Sequence, residues 1–147
     1  MIKPSSAPQL ALLAVLALSG CKSDTESLPG GDGRQPYAGI AEGERLSFTG
    51  TEPFWGGELT GGTLIYTTPE DQEGQAIEVS RFAGRGGVSF SGTLGGAPLV
   101  LAASEAACSD GMSDRTYPFT ITLQVRGETR TGCGWTRARP FTGSGGR

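Results

Sequence analysis

The chain has 147 residues, and its 25 Gly and 9 Pro bring it just below the roughly 25–30% Gly and Pro content typical of disordered chains. A net charge of −3 provides no basic field for a phosphate backbone, so no nucleic acid partner is expected. The chain contains no His, which excludes Ser-His and Cys-His nucleophile pairs and His-ligated zinc sites.

The first 20 residues have the features of a secretion signal. Lys3 precedes an unbroken apolar run, Leu10–Leu18, that is far shorter than the roughly 20 residues needed to span a bilayer. The segment that follows, Leu18-Ser19-Gly20-Cys21, resembles the bacterial lipobox. The resemblance implies that residues 1–20 are a lipoprotein signal peptide and that Cys21 is acylated, with chains of the palmitate type. An ordinary secretion signal with a chance Cys after it is the alternative.

Acylation would make the lipid bilayer a partner of the protein. Two or more acyl chains on Cys21 anchor a protein stably without a membrane-spanning segment. The expected location is then the bacterial cell envelope, on the periplasmic side of either the inner or the outer membrane.

Two segments are expected to lack a fixed fold. Residues 21–43 are polar and rich in Gly and Pro, without apolar periodicity, which predicts a flexible tether reaching roughly 25 Å on average. Residues 138–147 have a similar composition and predict a disordered tail. One folded domain is therefore expected over residues 44–137.

That domain is predicted to be all-β. No stretch keeps a 3.6-residue apolar repeat, whereas segments with a two-residue repeat recur between Gly-rich breaks; the clearest one alternates Phe119, Ile121, Leu123 and Val125 with polar residues. About eight such segments favour a small antiparallel up-and-down β-barrel, because closure removes exposed strand edges. A two-sheet β-sandwich is the alternative.

Glycine pairs predict two hairpin registers. Gly61-Gly62 and Gly95-Gly96 each fit a two-residue turn, since such turns require positive φ. The first turn would pair Leu59 with Leu64.

The last hairpin is expected to have a longer loop. An odd-length loop over residues 126–128, or a two-residue turn with a bulge, would keep Glu128 and Arg130 away from the core, because a shift of one residue moves every side chain of a strand to the other face. This register sets Phe119 opposite Trp135.

Two motifs resemble those of an uncharacterised family of predicted bacterial membrane lipoproteins. They are Gly50-Thr51-Glu52-Pro53-Phe54-Trp55 and Cys108-Ser109-Asp110-Gly111-Met112-Ser113-Asp114, the latter followed by Tyr117-Pro118 and Gly132-Cys133. The resemblance implies a small periplasmic β domain of unknown activity. The later half is also similar in layout to META-domain lipoproteins and to c-type lysozyme inhibitor lipoproteins. The inhibitors present a Ser-Gly-x-x-Tyr type loop, whose Tyr is missing from Ser91-Gly92-Thr93-Leu94.

The two cysteines that follow Cys21 are expected to form a disulfide. Cys108 and Cys133 would lie in an oxidising compartment, and closing a loop of about 25 residues would stabilise the fold by roughly 3–4 kcal/mol in the chain-entropy model. A redox-active pair is the alternative, although Cys-x-x-Cys spacing is absent. Two Cys without His are a poor metal site, so no metal or other cofactor is expected.

The second motif brings oxygen-bearing side chains together on a loop. Asp110, Ser113 and Asp114 surround Gly111, which is typical of tight turns in which these side chains bond their own backbone. A calcium site is the alternative, but the alternating acids and terminal Glu of an EF-hand loop are absent. Tyr117 closes this motif as a further candidate for a structural or ligand-binding role.

The first motif places large apolar side chains where a strand begins. Pro53 excludes the helical region for Glu52, and Phe54 and Trp55 supply apolar area. Trp55 is predicted to point inward as a plug at one end of the barrel. In the alternative, Glu52 and Trp55 form the floor of a ligand pocket.

These features favour a non-catalytic protein that binds an envelope component or supports envelope integrity. Glycosidase-like chemistry would need two carboxylates at a fixed separation, for example Glu52 with Asp110 or Asp114, and a sequence does not establish that separation. One alternative is an inhibitor of a muralytic enzyme such as lysozyme. The other is a carrier of a small apolar ligand inside the barrel.

Overall fold

The computed structural model describes residues 35–144 and shows a closed antiparallel barrel of eight strands. The strands are β1 (Leu46–Thr51), β2 (Phe54–Thr60), β3 (Thr63–Thr68), β4 (Asp71–Ala83), β5 (Gly87–Leu94), β6 (Ala97–Ser109), β7 (Thr116–Val125) and β8 (Glu128–Thr136). Each strand pairs with the next, and β8 pairs with β1 to close the wall. The predicted up-and-down barrel is therefore confirmed, and the sandwich alternative is not what forms. The signal peptide, Cys21 and the first part of the predicted tether lie outside the described residues.

The barrel has two distinct ends. The end that we call the mouth carries the turns at residues 52–53, 69–70, 95–96 and 126–127. The opposite end, the base, carries the turns at 61–62, 84–86 and 110–115, together with the segments that enter β1 and leave β8. In each strand, every second residue faces the interior, and these inward residues are spaced from the mouth to the base.

Apolar side chains fill the interior of the barrel. Every strand except β8 contributes to one buried cluster, in which Phe48 and Trp55 lie with their ring centroids 5.9 Å apart. The side chains with a relative exposure of 0% are those of Leu46, Leu64, Leu99, Leu101, Phe119, Ile121 and Leu123. An exposure of zero means that no water-sized space lies beside these side chains, as expected for an eight-stranded barrel whose interior is just filled.

The two glycine hairpins adopt the predicted registers. Leu59 pairs with Leu64 across Gly61-Gly62, and Phe90 pairs with Leu101 across Gly95-Gly96. All four glycines have positive φ, between 57° and 91°, as the primed two-residue turns require.

The predicted register of the last hairpin is wrong. Arg126 and Gly127 form a two-residue turn with φ of 51° and 81°, so Val125 pairs with Glu128, and Leu123 pairs with Arg130. Phe119 consequently faces Gly134 rather than Trp135. The shift by one residue places every β8 side chain on the opposite face of the wall from the one predicted.

Crowding in the interior explains this register. Gly132 and Gly134 are two of the inward residues of β8, and both lie directly against large side chains. A Cβ on Gly134 would lie 2.6 Å from Ile121 Cδ1, and one on Gly132 would lie 3.0 Å from Trp55 Cζ2. The glycines therefore make room for rings and branched chains that the predicted register would have forced against Trp135.

The folded domain is longer than the predicted range of 44–137. Ile40, placed in the tether, is 1% exposed and belongs to the core, and the Tyr37 N–H donates to the Gly84 carbonyl at 2.8 Å. In the predicted tail, Phe141 packs against the rings of Tyr117 and Trp135. Gly and Pro composition predicted disorder at both ends, but single large side chains at these positions find apolar surface at the base.

The predicted disulfide joins Cys108 to Cys133. Although β7 separates β6 from β8 in the wall, a register irregularity between Glu105 and Cys108 redirects the end of β6, and the two Cα atoms lie 5.5 Å apart. This separation is typical of disulfides. The bridge fastens the end of β6 to β8 near the base.

We expect Gly132→Ala to lower the free energy of unfolding by about 1–3 kcal/mol, because the new methyl group would collide with the β1 backbone at Thr49 and with the Trp55 ring. Gly86→Ala is the matched control, since nothing lies within 4 Å of a Cβ at Gly86. Urea unfolding of both variants measures the difference. Equal stabilities would contradict the register of β8 described above.

Candidate functional site

A concave surface lies at the mouth. It is a cavity of about 550 Å³, within the size range of small-molecule sites. All four turns of the mouth or their flanking strands contribute to its wall. The lining residues are Pro53, Phe54, Tyr66, Thr68, Pro69, Glu70, Asp71, Gln75, Leu94, Val125, Arg126, Glu128 and Arg130.

Arg130 is the polar centre of this cavity. It occupies an inward position of β8 opposite Leu123, which is fully buried. Its Nη1 donates to the Tyr66 hydroxyl at 2.7 Å, and its Nη2 and Nε donate to Glu128 Oε2 at 2.8 Å and 3.2 Å. The Arg130 side chain is 20% exposed, whereas that of Glu128 is 64% exposed. The guanidinium is therefore held inside the mouth, and the carboxylate reaches it from the solvent side.

The cavity combines this cation with an apolar floor and rim. Leu94 and Val125, each 3% exposed, belong to the buried cluster and line the cavity. Phe54 stands on the rim with 55% of its side chain exposed. An exposed Phe next to a fixed guanidinium offers both contact area and orientation to a ligand.

The first motif contributes to both the core and the mouth. Trp55 is 4% exposed and packs inside the barrel, which agrees with the plug interpretation. Glu52 is exposed at the turn between β1 and β2, and Phe54 lies on the rim of the cavity. Neither Glu52 nor Trp55 lines this cavity, so the alternative pocket floor made of these two residues does not form there. Tyr66, Leu94, Val125 and Arg130 line the cavity instead.

The second motif forms a capped turn at the base. Asp110 Oδ1 accepts from the backbone N–H groups of Met112 and Ser113 at 3.0 and 2.9 Å. Its Oδ2 accepts from the Ser113 hydroxyl at 2.8 Å and from the Tyr117 hydroxyl at 3.0 Å. The bonds from Met112 and Ser113 lead the interactions that lower the pKa of Asp110 from 3.8 to about 2. This geometry agrees with turn and cap chemistry.

The other residues of that motif do not extend it into a ligand site. Asp114 is exposed, and Tyr117 is 2% exposed under the rings of Trp135 and Phe141. Within residues 35–144, no three acidic or cysteine side chains are grouped to hold a metal ion. The two motifs lie at opposite ends of the barrel, so Glu52 does not meet Asp110 or Asp114.

Hydrogen bonds among Arg139, Tyr37 and Glu105 close the base. Arg139 donates to the Tyr37 hydroxyl at 3.1 Å and to Glu105 at 2.7 Å, and its guanidinium lies 4.9 Å from the centre of the Phe119 ring. Burial, followed by the interaction with Glu105, raises the pKa of Tyr37 to about 12. The hydrogen bond from Arg139 leads the interactions that lower the pKa of Glu105 to about 2. The base is thus covered by the two terminal segments, whereas the mouth has no such cover among the described residues.

Sequence reasoning missed the residues that define both ends. Arg130 was assigned to the outer face because charged side chains rarely face a core. Its position becomes visible only through the two-residue turn, which requires the uncommon positive φ at Arg126. Tyr37 and Arg139 lie in segments whose composition predicts disorder, and no local pattern marks them.

Comparison of the chain with known protein families, with characterised proteins and with solved structures finds no match. The resemblance to bacterial lipoproteins therefore stays a prediction. Over residues 35–144, no helix is long and apolar enough to cross a membrane.

We expect Asp110→Asn to lower the free energy of unfolding at pH 7 by about 1–2 kcal/mol, because the amide replaces an ionised acceptor of four hydrogen bonds. Asp114→Asn, in the same loop and exposed, is the matched control. Chemical unfolding as a function of pH gives the second readout.

The pH dependence follows from the direction of the shift. Since the pKa of Asp110 is lower in the folded state, its contribution is present above pH 4 and is lost as the pH falls towards 2. The difference between wild type and Asp110→Asn should therefore shrink over that range. A difference that is constant with pH, or equal in the Asp114 variant, would contradict the capped turn.

Proposed function

We propose that the protein is a lipid-anchored, periplasm-facing component of the bacterial cell envelope and that its barrel is a non-catalytic binding module acting through the mouth. The observation that carries the binding proposal is the contrast between a filled interior and an uncovered cavity of about 550 Å³ at one end. Binding sites of this size commonly combine apolar walls with a few placed polar groups.

The filled interior argues against a carrier that encloses an apolar ligand. Leu64, Leu101 and Ile121 are fully buried at the middle of the wall, and no water-sized space lies beside them. A hollow eight-stranded barrel would expose such side chains to its own cavity. A ligand is therefore expected at the mouth and not in the centre.

The strand positions of Ser91 and Gly92 argue against the inhibitor alternative. Both residues lie within β5 and pair with β4 and β6, so they do not form a loop that could enter an enzyme's cleft. The turn that follows them consists only of Gly95 and Gly96.

Two carboxylates at the base are poorly suited to act as general acids. The pKa of Asp110 and that of Glu105 lie at about 2, so both groups are ionised at neutral pH. A general acid needs a pKa near the working pH, which requires a shift in the opposite direction. Both carboxylates also accept hydrogen bonds from other residues of the fold.

The anchor is tested by metabolic labelling of the producing bacterium with a palmitate analogue. We expect the full-length protein to incorporate label and Cys21→Ser to lose it, because an acylated thioether requires that thiol. Cys108→Ser is the control and should keep the label. A labelled Cys21→Ser variant, or an unlabelled wild type, would contradict the anchor.

The mouth is tested by replacing Phe54 with benzoylphenylalanine and irradiating cells that produce the full-length protein. We expect adducts in the intact-mass spectrum, because Phe54 is 55% exposed on the rim of the proposed site. Phe82, 70% exposed and next to the base, is the matched position. Equal adducts at both positions, or none at Phe54, would contradict binding at the mouth.

A further inference from the structure

We infer that the mouth binds ligands that carry a carboxylate next to an apolar group, with Arg130 as the carboxylate-binding residue. This inference rests on the proposed binding function of the mouth and adds the chemical class of the ligand. It follows from the register of β8, from the hydrogen bonds of the guanidinium and from the apolar surface around it.

The register of β8 places a charge where the fold alone would favour an apolar side chain. Arg130 lies on the same inward face of β8 as the buried residues Gly132 and Gly134, and it is the nearest of the three to the mouth. It reaches this face only because Arg126, which is not a glycine, adopts a φ of 51°. Such backbone conformations cost free energy and are often kept where they serve a site. The turn at Arg126 thus belongs to the register that places the Arg130 guanidinium inside the mouth.

The guanidinium keeps donors for a ligand. Of its five N–H groups, three are bonded within the described chain, one to Tyr66 and two to Glu128. Two N–H groups therefore remain available in the cavity. A planar fork of donors matches the two oxygens of a carboxylate and can bind them in a bidentate pair.

Glu128 already binds the Arg130 guanidinium with a carboxylate of the same chain. A single oxygen, Oε2, accepts both bonds from Arg130, and the side chain is 64% exposed. An exposed ion pair of this kind contributes little to stability, so Glu128 can move into solvent at small cost when a ligand carboxylate takes its place. Glu70, Asp71 and Glu128 line the cavity together with Arg126 and Arg130, so the preference for a carboxylate rests on the donors of Arg130 and not on the charge of the cavity as a whole.

The surroundings of the guanidinium specify the rest of the ligand. Phe54, Leu94 and Val125 line the same cavity as the guanidinium and offer apolar contact there. The cavity volume of about 550 Å³ admits a ring or a short alkyl chain beside the carboxylate. A peptide with a free carboxyl terminus and a short fatty acid both have this chemistry.

The test is calorimetric titration of the purified full-length protein with three matched probes: 4-phenylbutyrate, its amide and 4-phenylbutylamine. We expect the acid to bind about tenfold or more tightly than the other two, because only the acid forms charge-assisted bonds with Arg130. N-acetyl-phenylalanine and octanoate then distinguish a peptide carboxyl terminus from a fatty acid as the preferred source of the carboxylate.

Two variants of opposite effect separate a binding role from a structural one. Arg130→Gln should weaken binding of the acid about tenfold or more, whereas Glu128→Gln should tighten it about two- to fivefold by removing the internal competitor. Arg45→Gln, which removes an arginine of an exposed ion pair on the outer wall, should change nothing. If Arg130→Gln does not fold, the gain of affinity in Glu128→Gln still tests the inference.

The outcomes separate the two proposals. Amide or amine binding as tightly as the acid would overturn the carboxylate preference, and, if Phe54→Ala weakened it, would leave the mouth as a binding site. Acid binding that does not respond to Arg130 or Glu128 would also overturn the inference. Failure of all the probes to bind overturns it as well, and the crosslinking experiment at Phe54 then decides separately whether the mouth binds anything else.

Discussion

The pairing of β8 with β1 is the constraint on which the rest of the structure depends. It sets Thr49 opposite Cys133 and Leu46 opposite Thr136, and it closes the wall. A closed wall of eight strands has a fixed interior volume, so a bulky side chain fits only where a facing residue is small. The Trp55 ring meets this condition by lying against Gly50 and Gly132. The glycines of this chain are therefore a packing requirement of the closed barrel as well as turn residues.

The same closure makes the two ends unequal. At the base, the segments before β1 and after β8 fold back over the opening, and Arg139 bridges them by bonding both Tyr37 and Glu105. At the mouth, hairpin turns of two residues are too short to cover the opening. Polar side chains that face inward are thus covered at the base and accessible at the mouth, which is why the site is assigned to the mouth.

The local signals in the sequence were sufficient for the fold class and insufficient for the site. Two-residue repeats and glycine pairs identify strands and turns because these depend on neighbouring residues alone, and the hairpins at Gly61-Gly62 and Gly95-Gly96 formed as expected. The last hairpin depends on the space available across the barrel, which no local pattern contains. The order of residues 37–43 and 138–142 depends likewise on distant contacts, such as Phe141 on Tyr117.

The charged residue Arg130 occupies an inward strand position at the mouth, where strand alternation predicts an apolar residue. The cost of the alternative register explains why it does so. A loop of three residues after Val125 would avoid the positive φ at Arg126 and would turn Arg130 towards solvent. It would also turn Trp135 inward, against Phe119, in an interior that is already full. Packing near the base therefore selects the register, and the register delivers a guanidinium to the mouth. Because packing requires only that residues 132 and 134 be small, it does not require Arg at 130, and a Leu there would extend the apolar cluster. Apolar packing thus leaves the charge unexplained; Arg130 bonds to Tyr66 and Glu128, and the recognition role proposed for the mouth would account for a guanidinium at this position.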